Sequence, residues 1–363
     1  MFEIIFIVVL SGYFLQSVLF VIGVSRKFPK IKEEEFPTAT VIVAARNEAD
    51  NIQRCMNSLD KLVYPEGKLE IILVDDKSTD ETGKIIDEFI AGKDRFQKIV
   101  TKKEIGKLIG KINALANAID MANGEIILTT DADCEVHPKW AYTIASYYQK
   151  DVAIVNGFTT QLAYDNFSGM QSLDFIYLLF VASGTINIGM PITCIGNNMS
   201  YRKKAYDEVG GYEKLPFSVT EDFSLLNAIY KLKKYKLIYP IDKEALITSM
   251  PCKSIRSLYK QKKRWSVGGL GVPVTGYMVM AWGFLTNLGV LLTPFFFSTT
   301  WLYLVFFKVI TDFFVLYSVH NNLDIKKNLK YFFAYQVYFI LYVIATPFVL
   351  LFDRKVVWKG RDL

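Results

Sequence analysis

Long apolar segments lie at both ends of the chain, and they constrain the fold more than any other feature. Residues 2–24 are almost continuously apolar, and further apolar segments occupy residues 274–297, 299–319 and 331–352. Each is long enough to cross the hydrocarbon core of a bilayer as a helix. The residues between them alternate polar and apolar positions in the ordinary way, which predicts a globular α/β domain in water. The chain therefore combines a membrane-embedded part with a water-facing part.

Basic residues flank these segments and predict their orientation. Arg26 and Lys27 follow the first segment, whereas no basic residue precedes it. We therefore interpret residues 1–25 as an uncleaved anchor, with its N-terminus outside and the middle domain in the cytoplasm, at the inner membrane of a bacterium. Three C-terminal crossings would leave the basic tail 353–363 outside. We expect two to three spans within 273–352, with 274–297 as the candidate re-entrant segment because Gly283 and Pro294 interrupt it.

Charge and cysteine usage exclude other classes of protein. The net charge is +6, but the excess clusters beside the apolar segments, without a basic and aromatic stripe, so we expect no nucleic-acid partner. The four cysteines are far apart and only two histidines occur, which argues against a structural zinc site or a disulfide framework.

Polar and acidic residues follow three apolar runs of the middle domain. Asn47 and Glu48 come shortly after the run 39–45. Asp75 directly follows the run 70–74, and Asp131 directly follows the run 126–130. In an open parallel α/β sheet, ligands bind just outside the carboxyl ends of the strands. We therefore expect these side chains to converge on one ligand site.

Asp131 and Asp133 are the sharpest local feature. Two carboxylates one residue apart at a strand end can face one hard cation and the diphosphate that it bridges, which predicts Mn²⁺ or Mg²⁺. The alternative is that Asp133 caps a helix. Asp75 and Asp76 have a similar alternative, a strand-to-helix turn capped by Ser78 or Asp80.

The order of the motifs is more specific than any one of them, and it resembles that of the inverting family 2 glycosyltransferases. The matching residues are 41–52 (VIVAARNEADNI), 74–82 (VDDKSTDET), Gly110-Lys111, Asp131-Ala132-Asp133, 196–199 (GNNM), 210–212 (GGY), Thr220-Glu221-Asp222 and 261–265 (QKKRW). The resemblance implies a GT-A fold, an α/β nucleotide-sugar-binding domain with a mixed, mainly parallel sheet, joined here to N- and C-terminal transmembrane helices.

The resemblance also implies roles for individual residues. Asp222 would be the base that deprotonates the acceptor hydroxyl, and Asp131 and Asp133 would bind the sugar nucleotide and its metal. The other donor-side residues would be Ala45, Asn47, Glu48, Asp75, Lys111, Gln261, Arg264 and Trp265. The acceptor side would be formed by Glu221, Asn197, Asn198 and again Trp265.

Two departures and one alternative qualify this assignment. Lys77 stands where Gly is common in the family, and Ala116 stands where Asn is common, so the sugar and nucleotide preference stays open. The QKKRW segment could instead be a basic interfacial helix with a Trp anchor.

The acceptor is the least constrained part of the prediction. Residues 167–190 read either as a buried helix with a loop or as an amphipathic segment that admits a lipid. We expect one sugar to be added to a lipid hydroxyl, because the chain resembles the ceramide, carotenoid and hopanoid glucosyltransferases. Residues 357–361 also resemble the tail of that group. A processive polysaccharide synthase is the alternative, and a non-catalytic transport or sugar-nucleotide-binding subunit is a more distant one.

The predicted domains are an anchor (1–25), a cytoplasmic glycosyltransferase domain (38–252), an interfacial helix (253–272), a transmembrane region (273–352) and a basic tail (353–363). The expected partners are a nucleotide-diphosphate sugar, a lipid acceptor and the bilayer. The oligomeric state is left open.

Overall fold

The computed structural model of the chain describes residues 2–101, 104–216, 218–353, 355, 357–358 and 361–362. Its helices are α1 (Phe2–Val24), α2 (Ile52–Asp60), α3 (Thr82–Ile90), α4 (Lys111–Met121), α5 (Trp140–Ser146), α6 (Asn166–Asn187), α7 (Lys203–Glu208), α8 (Gly211–Lys214), α9 (Glu221–Lys231), α10 (Ile255–Gly268), α11 (Val274–Leu291), α12 (Thr299–Asn322) and α13 (Phe332–Phe352). Its strands are β1 (Ala39–Ala45), β2 (Leu69–Asp75), β3 (Phe96–Val100), β4 (Ile126–Asp131), β5 (Cys134–Val136), β6 (Val152–Asn156), β7 (Thr159–Gln161), β8 (Met199–Arg202), β9 (Lys236–Ile238), β10 (Ile247–Ser249), β11 (Val357–Trp358) and β12 (Arg361–Asp362). Lys359 and Gly360 of the predicted tail motif lie outside the described residues.

The chain folds into two compact units, each built from separate stretches of sequence. Residues 26–160 and 194–250 form one, called here the sheet unit; residues up to 25, 161–193 and from 251 onward form the other, the helical unit. The predicted glycosyltransferase domain ran without a break over 38–252. The structure differs at 161–193, because most of α6 is buried against other helices of the helical unit, α1 and α13 among them.

The main sheet has seven strands in the order β3-β2-β1-β4-β8-β6-β9. β1 pairs in parallel with β2 and β4, whereas β8 runs antiparallel to both β4 and β6. The structure therefore confirms the predicted α/β fold with a mixed, mainly parallel sheet. The register pairs Ala45 with Asp75 and Ala44 with Asp131, so the carboxyl ends of three strands meet at one edge, as expected.

The strands of this sheet are apolar because both of their faces are buried, as is usual for parallel sheets. Val41, Val43, Ile71, Leu73 and Leu128 are fully buried and belong to one core. This core ends where the polar residues of the strand ends begin, so it supplies a rigid platform for them.

The helical unit contains the apolar segments predicted from the sequence and one more. Among the described residues, the stretches long and apolar enough to cross a membrane are Phe2–Val24, Asn166–Asn187, Val274–Leu291, Thr299–Asn322 and Lys326–Phe352. Asn166–Asn187 is α6, which the sequence analysis had left as either a buried helix or an amphipathic segment. It is the most buried of the five.

Small residues and a polar cluster hold these helices together. A Cβ atom added at Gly23 of α1 would lie 2.2 Å from the carbonyl oxygen of Gly184 in α6, so the two helices touch through their backbones. Elsewhere in the unit, the carboxylate of Asp312 accepts hydrogen bonds from Tyr13 Oη at 2.6 Å and Gln336 Nε2 at 2.8 Å. Asp312 Oδ2, the oxygen bonded by Gln336, also lies 2.8 Å from Lys308 Nζ, so the buried charges of Asp312 and Lys308 compensate each other.

Candidate active site

The side chain of Lys111 joins two of the predicted motifs within the sheet unit. Its Nζ donates to Asp131 Oδ1 at 2.6 Å and lies 3.6 Å from Glu221 Oε1. Burial lowers the pKa of Lys111, but the negative charges of Asp131 and Glu221 outweigh burial and raise the pKa above its usual range. Lys111 is therefore a cation that ties the metal motif at the end of β4 to the acidic motif at the start of α9.

Backbone geometry places Lys111 for this contact. Gly110, which precedes α4, has φ 60°, a conformation that side chains with a Cβ atom rarely adopt. The turn at Gly110 lets α4 begin with Lys111 directed at the carboxyl end of β4. The Gly-Lys pair of the sequence motif thus has a conformational reason.

Asp131 is the last residue of β4, and Asp133 precedes the short strand β5. Because a strand and not a helix follows Asp133, the alternative that it caps a helix is wrong. Burial, with a further contribution from the charge of Asp131, raises the pKa of Asp133 to about 6. The charge of Asp131 therefore disfavours the ionised form of Asp133, and a bound cation would relieve this repulsion.

Three side chains that the sequence analysis missed surround this pair. Arg54 of α2 donates to the backbone carbonyl of Asp133, and the Cys134 thiol lies 3.5 Å from Asp133 Oδ1. Cys55 Sγ lies 3.6 Å from the carbonyl oxygen of Asp131. Nothing in the local sequence relates positions 54 and 55 to 131–134, because only the packing of α2 on β5 brings them together.

The described residues contain no group of three or more His, Cys, Asp or Glu side chains arranged to hold a metal ion. A pair of carboxylates is nevertheless a donor set that suits Mg²⁺ or Mn²⁺, which commonly take one or two carboxylates from the protein and complete their shell with water and substrate phosphates. Asp131 and Asp133 are therefore suited to a Mg²⁺ or Mn²⁺ ion that also binds water and substrate phosphates. They do not form a site built wholly from protein ligands.

Asp222 lies in the first turn of α9, where its Oδ1 accepts a hydrogen bond from the Phe223 amide at 2.7 Å. Gly196 packs directly against it. A Cβ atom at Gly196 would lie 3.2 Å from both Cβ and Oδ2 of Asp222, which is tighter than an ordinary contact. The glycine of the GNNM motif therefore leaves room for the predicted base.

Asn197 and Asn198 are buried and are bonded within the scaffold. Asn197 Oδ1 accepts from Thr159 Oγ1 at 2.9 Å, and Asn198 Oδ1 accepts from Trp140 Nε1 at 2.9 Å. The side-chain nitrogen Nδ2 of Asn198 also donates to the backbone carbonyl oxygens of Phe158 and Ala245. These contacts give both residues a structural role, and the predicted acceptor-side role stays a prediction without support from them.

The loops after β1 and β2 form the other half of the site, and hydrogen bonds join them. The Asn47 amide donates to Ser78 Oγ at 3.1 Å, and Asn47 Oδ1 accepts from the Thr79 amide at 2.8 Å. The Glu48 amide donates to Thr82 Oγ1 at 2.8 Å. Two motifs that lie far apart in sequence therefore form one rigid rim at the sheet edge.

Asp75 and Lys77 shape the second loop. Asp75 Oδ1 accepts from the Ser78 amide at 2.9 Å. Asp80 Oδ1 accepts from the Thr82 amide at 3.0 Å at the start of α3, so the strand-to-helix turn with Asp80 at its end, which the sequence analysis gave as an alternative, is present. Ala45 contributes its carbonyl oxygen to the Asp76 amide at 2.8 Å. Lys77 has φ 57°, which explains why glycine is common at this position in the family that the sequence resembles.

A cavity of about 330 Å³ lies beside Glu221. Its apolar walls come from Leu108, Ile109, Ile112, Tyr212, Leu215 and Pro216. Its polar lining comes from Lys107, Glu213, Ser218, Glu221 and Ser224, so the cavity combines apolar walls with charged and hydroxyl groups beside the residue that precedes the predicted base.

Gln261, Arg264 and Trp265 lie on α10, in the helical unit. Within that unit, the Trp265 ring stacks on Phe175 of α6, with 5.5 Å between ring centroids and 17° between planes. The structure gives the side chains of Gln261 and Arg264 no hydrogen bond or ion pair with any described residue. Their predicted donor-side roles stay predictions.

Comparisons with known proteins agree with these observations. The family model described as "Glycosyl transferase family 2" matches residues 40–210, and that described as "Glycosyl transferase family group 2" matches residues 126–351. Beta-monoglucosyldiacylglycerol synthase of Nostoc is 28% identical over 67% of the chain and 51% of its own length. Poly-beta-1,6-N-acetyl-D-glucosamine synthase of Staphylococcus epidermidis is 24% identical over 76% of the chain and 65% of its own length. The chain thus spans half to two thirds of these relatives.

A solved structure resembles almost the whole chain. The mannosyltransferase PcManGT of Pyrobaculum calidifontis, in complex with GDP-Man and Mn²⁺, superposes with a TM-score of 0.59 at 17% identity. The match covers 98% of this chain and 100% of the mannosyltransferase. At this identity the likeness concerns the fold.

Proposed function

The chain belongs to glycosyltransferase family 2, and on that premise we propose that it transfers one sugar from a nucleotide-diphosphate sugar to a lipid hydroxyl, with inversion at the anomeric carbon. The observation that carries the proposal is the contact of Lys111 with both Asp131 and Glu221. It brings the predicted leaving-group motif and the predicted base motif into one cluster of charges.

Asp222 is the base in this proposal. It takes the proton of the acceptor hydroxyl while the acceptor oxygen forms a bond to the anomeric carbon, and the bond from that carbon to the nucleotide diphosphate breaks. A single displacement inverts the configuration. Asp222 is next to Glu221, and its negative charge is among those that raise the pKa of Lys111, so the Lys111 cation lies near the base.

The donor is held by the rim of residues 45–48 and 75–82, with Ala45, Asn47, Glu48 and Asp75 nearest the nucleotide. Lys111 and Arg264 supply positive charge for the diphosphate, with Gln261 and Trp265 beside Arg264 on α10. Mn²⁺ or Mg²⁺ held by Asp131 and Asp133 would stabilise the negative charge on the departing diphosphate. The proposed donor is a UDP-hexose, which is therefore the first sugar nucleotide to test.

Two observations support a lipid as the acceptor. Among its described residues, the helical unit carries five stretches long and apolar enough to cross a membrane, which supports an acceptor drawn from the bilayer. The cavity beside Glu221 has several apolar lining residues together with polar ones, which suits a hydroxyl-bearing amphiphile more than a fully polar sugar. The name of the Nostoc relative, a glucosyldiacylglycerol synthase, agrees with this choice. We place the catalytic part, predicted as 38–252, in the cytoplasm at a bacterial inner membrane, except for residues 161–193 and 251–252, which belong to the helical unit.

A processive polysaccharide synthase is the second candidate, and the Staphylococcus relative favours it. The two functions differ in product size. Purified protein is incubated with labelled UDP-sugars and a total lipid extract, and the products are separated by solvent partition and chromatography. We expect one discrete organic-soluble species bearing one sugar; a water-soluble ladder made without added lipid would establish the second candidate instead.

A further inference from the structure

A buried ion pair anchors the helix that carries the QKKRW motif. Lys262 of α10 contacts the carboxylate of Asp174 in α6, and their side chains are only 9% and 4% exposed. The hydroxyl of Tyr338 in α13 donates to the same carboxylate oxygen at 3.2 Å. Burying two charges is costly, and apolar side chains of similar volume could pack as well. The pair therefore calls for an explanation other than packing.

Aromatic rings enclose the same lysine. Lys262 Nζ lies 4.5 Å from the ring centroid of Trp265 and 5.2 Å from that of Tyr342, both within cation–π range. Trp265 in turn stacks on Phe175, the neighbour of Asp174. Asp174 and Phe175 of α6 thus contact two residues of α10, Lys262 and Trp265, which are about one helical turn apart.

This double attachment fixes the rotation of α10 about its axis. Residues three apart share a face of a helix, and adjacent residues are about 100° apart. With Lys262 and Trp265 held against α6, Gln261 and Arg264 must share the neighbouring face. Both are half-buried, and neither side chain has a hydrogen bond or ion pair with a described residue. The neighbouring face thus presents the Arg264 guanidinium and the Gln261 amide together.

We propose that Asp174 and Lys262 are positioning residues for sugar transfer, which hold α10 so that Arg264 and Gln261 are presented in a fixed orientation to the diphosphate. The inference rests on the proposed function, in which Arg264 binds the leaving group. Charge on the diphosphate grows as the glycosidic bond breaks, so a misplaced guanidinium weakens the transition state more than the bound donor. Loss of the pair should therefore lower kcat and leave KM for the donor nearly unchanged.

The decisive variant replaces both charges at once. Lys262→Met with Asp174→Leu removes the ion pair without leaving one charge buried alone, so the fold should survive. We expect kcat to fall about 10- to 100-fold, with KM for the sugar nucleotide within about twofold and Tm within about 3 °C of the parent. Tyr338→Phe removes only a hydroxyl from the cluster and should lower kcat about threefold with KM unchanged. If the double variant does not fold, the kcat of Tyr338→Phe tests the positioning role instead.

Lys263 offers a matched control on the same helix. It forms an ion pair with Asp353, on another side of α10 from Lys262, and Lys263→Met should keep kcat within about twofold of the parent. Parental kcat in the folded double variant, or in Tyr338→Phe if the double variant is unfolded, would overturn the positioning role. So would an equal loss in Lys263→Met. A parent that turns over no sugar nucleotide would overturn the proposed function itself and this inference with it.

Discussion

The Nζ atom of Lys111 lies 2.6 Å from Oδ1 of Asp131, at the carboxyl end of β4. This distance places a cation at the motif that would meet the diphosphate. Lys111→Met removes the cation and leaves Asp131 facing Glu221 without compensation. We expect kcat/KM for the sugar nucleotide to fall about 100-fold, which corresponds to about 2.7 kcal/mol of transition-state stabilisation.

The exposed Lys84 of α3 is a suitable control for that measurement, since it contacts only the neighbouring Glu81. Lys84→Met should behave like the parent. Equal kinetics for Lys111→Met and the parent would show that Lys111 only stabilises the fold.

The raised pKa of Asp133 predicts a pH-dependent metal affinity. The carboxyl has a pKa of about 6, so it gains a proton as the pH falls below that value, and the proton competes with the cation. The Kd for Mn²⁺ should rise about tenfold for each pH unit below this pKa. Titration of free Mn²⁺ by electron paramagnetic resonance at several pH values measures it.

In the same titration, Asp133→Asn should bind Mn²⁺ weakly at every pH, and excess chelator should abolish transfer by the parent. Full activity in chelator would remove the metal from the mechanism.

The role of Asp222 is tested by removing its charge alone. Asp222→Asn keeps the shape of the side chain but cannot accept the proton, so transfer should fall about 10²- to 10⁴-fold. Nucleotide binding, measured by calorimetry, should stay near that of the parent. A matching loss of affinity would make Asp222 a ligand contact, and the base would have to be sought elsewhere.

Gly196→Ala probes the position of the same carboxylate without changing its chemistry. The added methyl group would lie 3.2 Å from Asp222 Oδ2 and would push the carboxylate by a few tenths of an ångström. We expect kcat to fall about tenfold with little change in Tm, because misplacement of a base costs rate before it costs stability. Unchanged kcat would mean that the carboxylate tolerates the shift.

The cavity beside Glu221 predicts a separable effect on the acceptor. Ile109 is exposed on its wall, and Ile109→Glu would place a charge where an apolar chain should lie. We expect KM for the lipid to rise about tenfold with KM for the donor unchanged. The exposed Val63, elsewhere in the sheet unit, provides the control Val63→Glu, and a similar effect of both variants would exclude the cavity as the acceptor site.

Local sequence pattern predicted the strands that position the site. β1, β2 and β4 are apolar runs whose carboxyl ends carry or are followed by polar and acidic residues, and a parallel sheet must bring such ends to one edge. Asp131 and Asp75 could be located in this way. Arg54 and Cys55 could not, since their proximity to Asp133 and Asp131 depends on how α2 packs.

The same limit explains the placement of α6 and the asparagines. A helix that is apolar around most of its circumference gives no amphipathic signal, so periodicity could not assign residues 167–190 to the helical unit. Asn197 and Asn198 match a family motif by type, but their inward direction follows from the turn that joins Gly196 to β8. Type and spacing identify a motif without telling which of its side chains face a ligand.

The backbone contact between Gly23 and Gly184 has a consequence for biosynthesis. Roughly 160 residues separate the two glycines, and ribosomes add about 5–20 residues per second, so about 8–30 s pass before α1 can meet α6. During that interval the glycine face of α1 has no partner from its own chain. That face of α1 must therefore be covered by something other than α6 while residues 26–160, the larger part of the sheet unit, are being made.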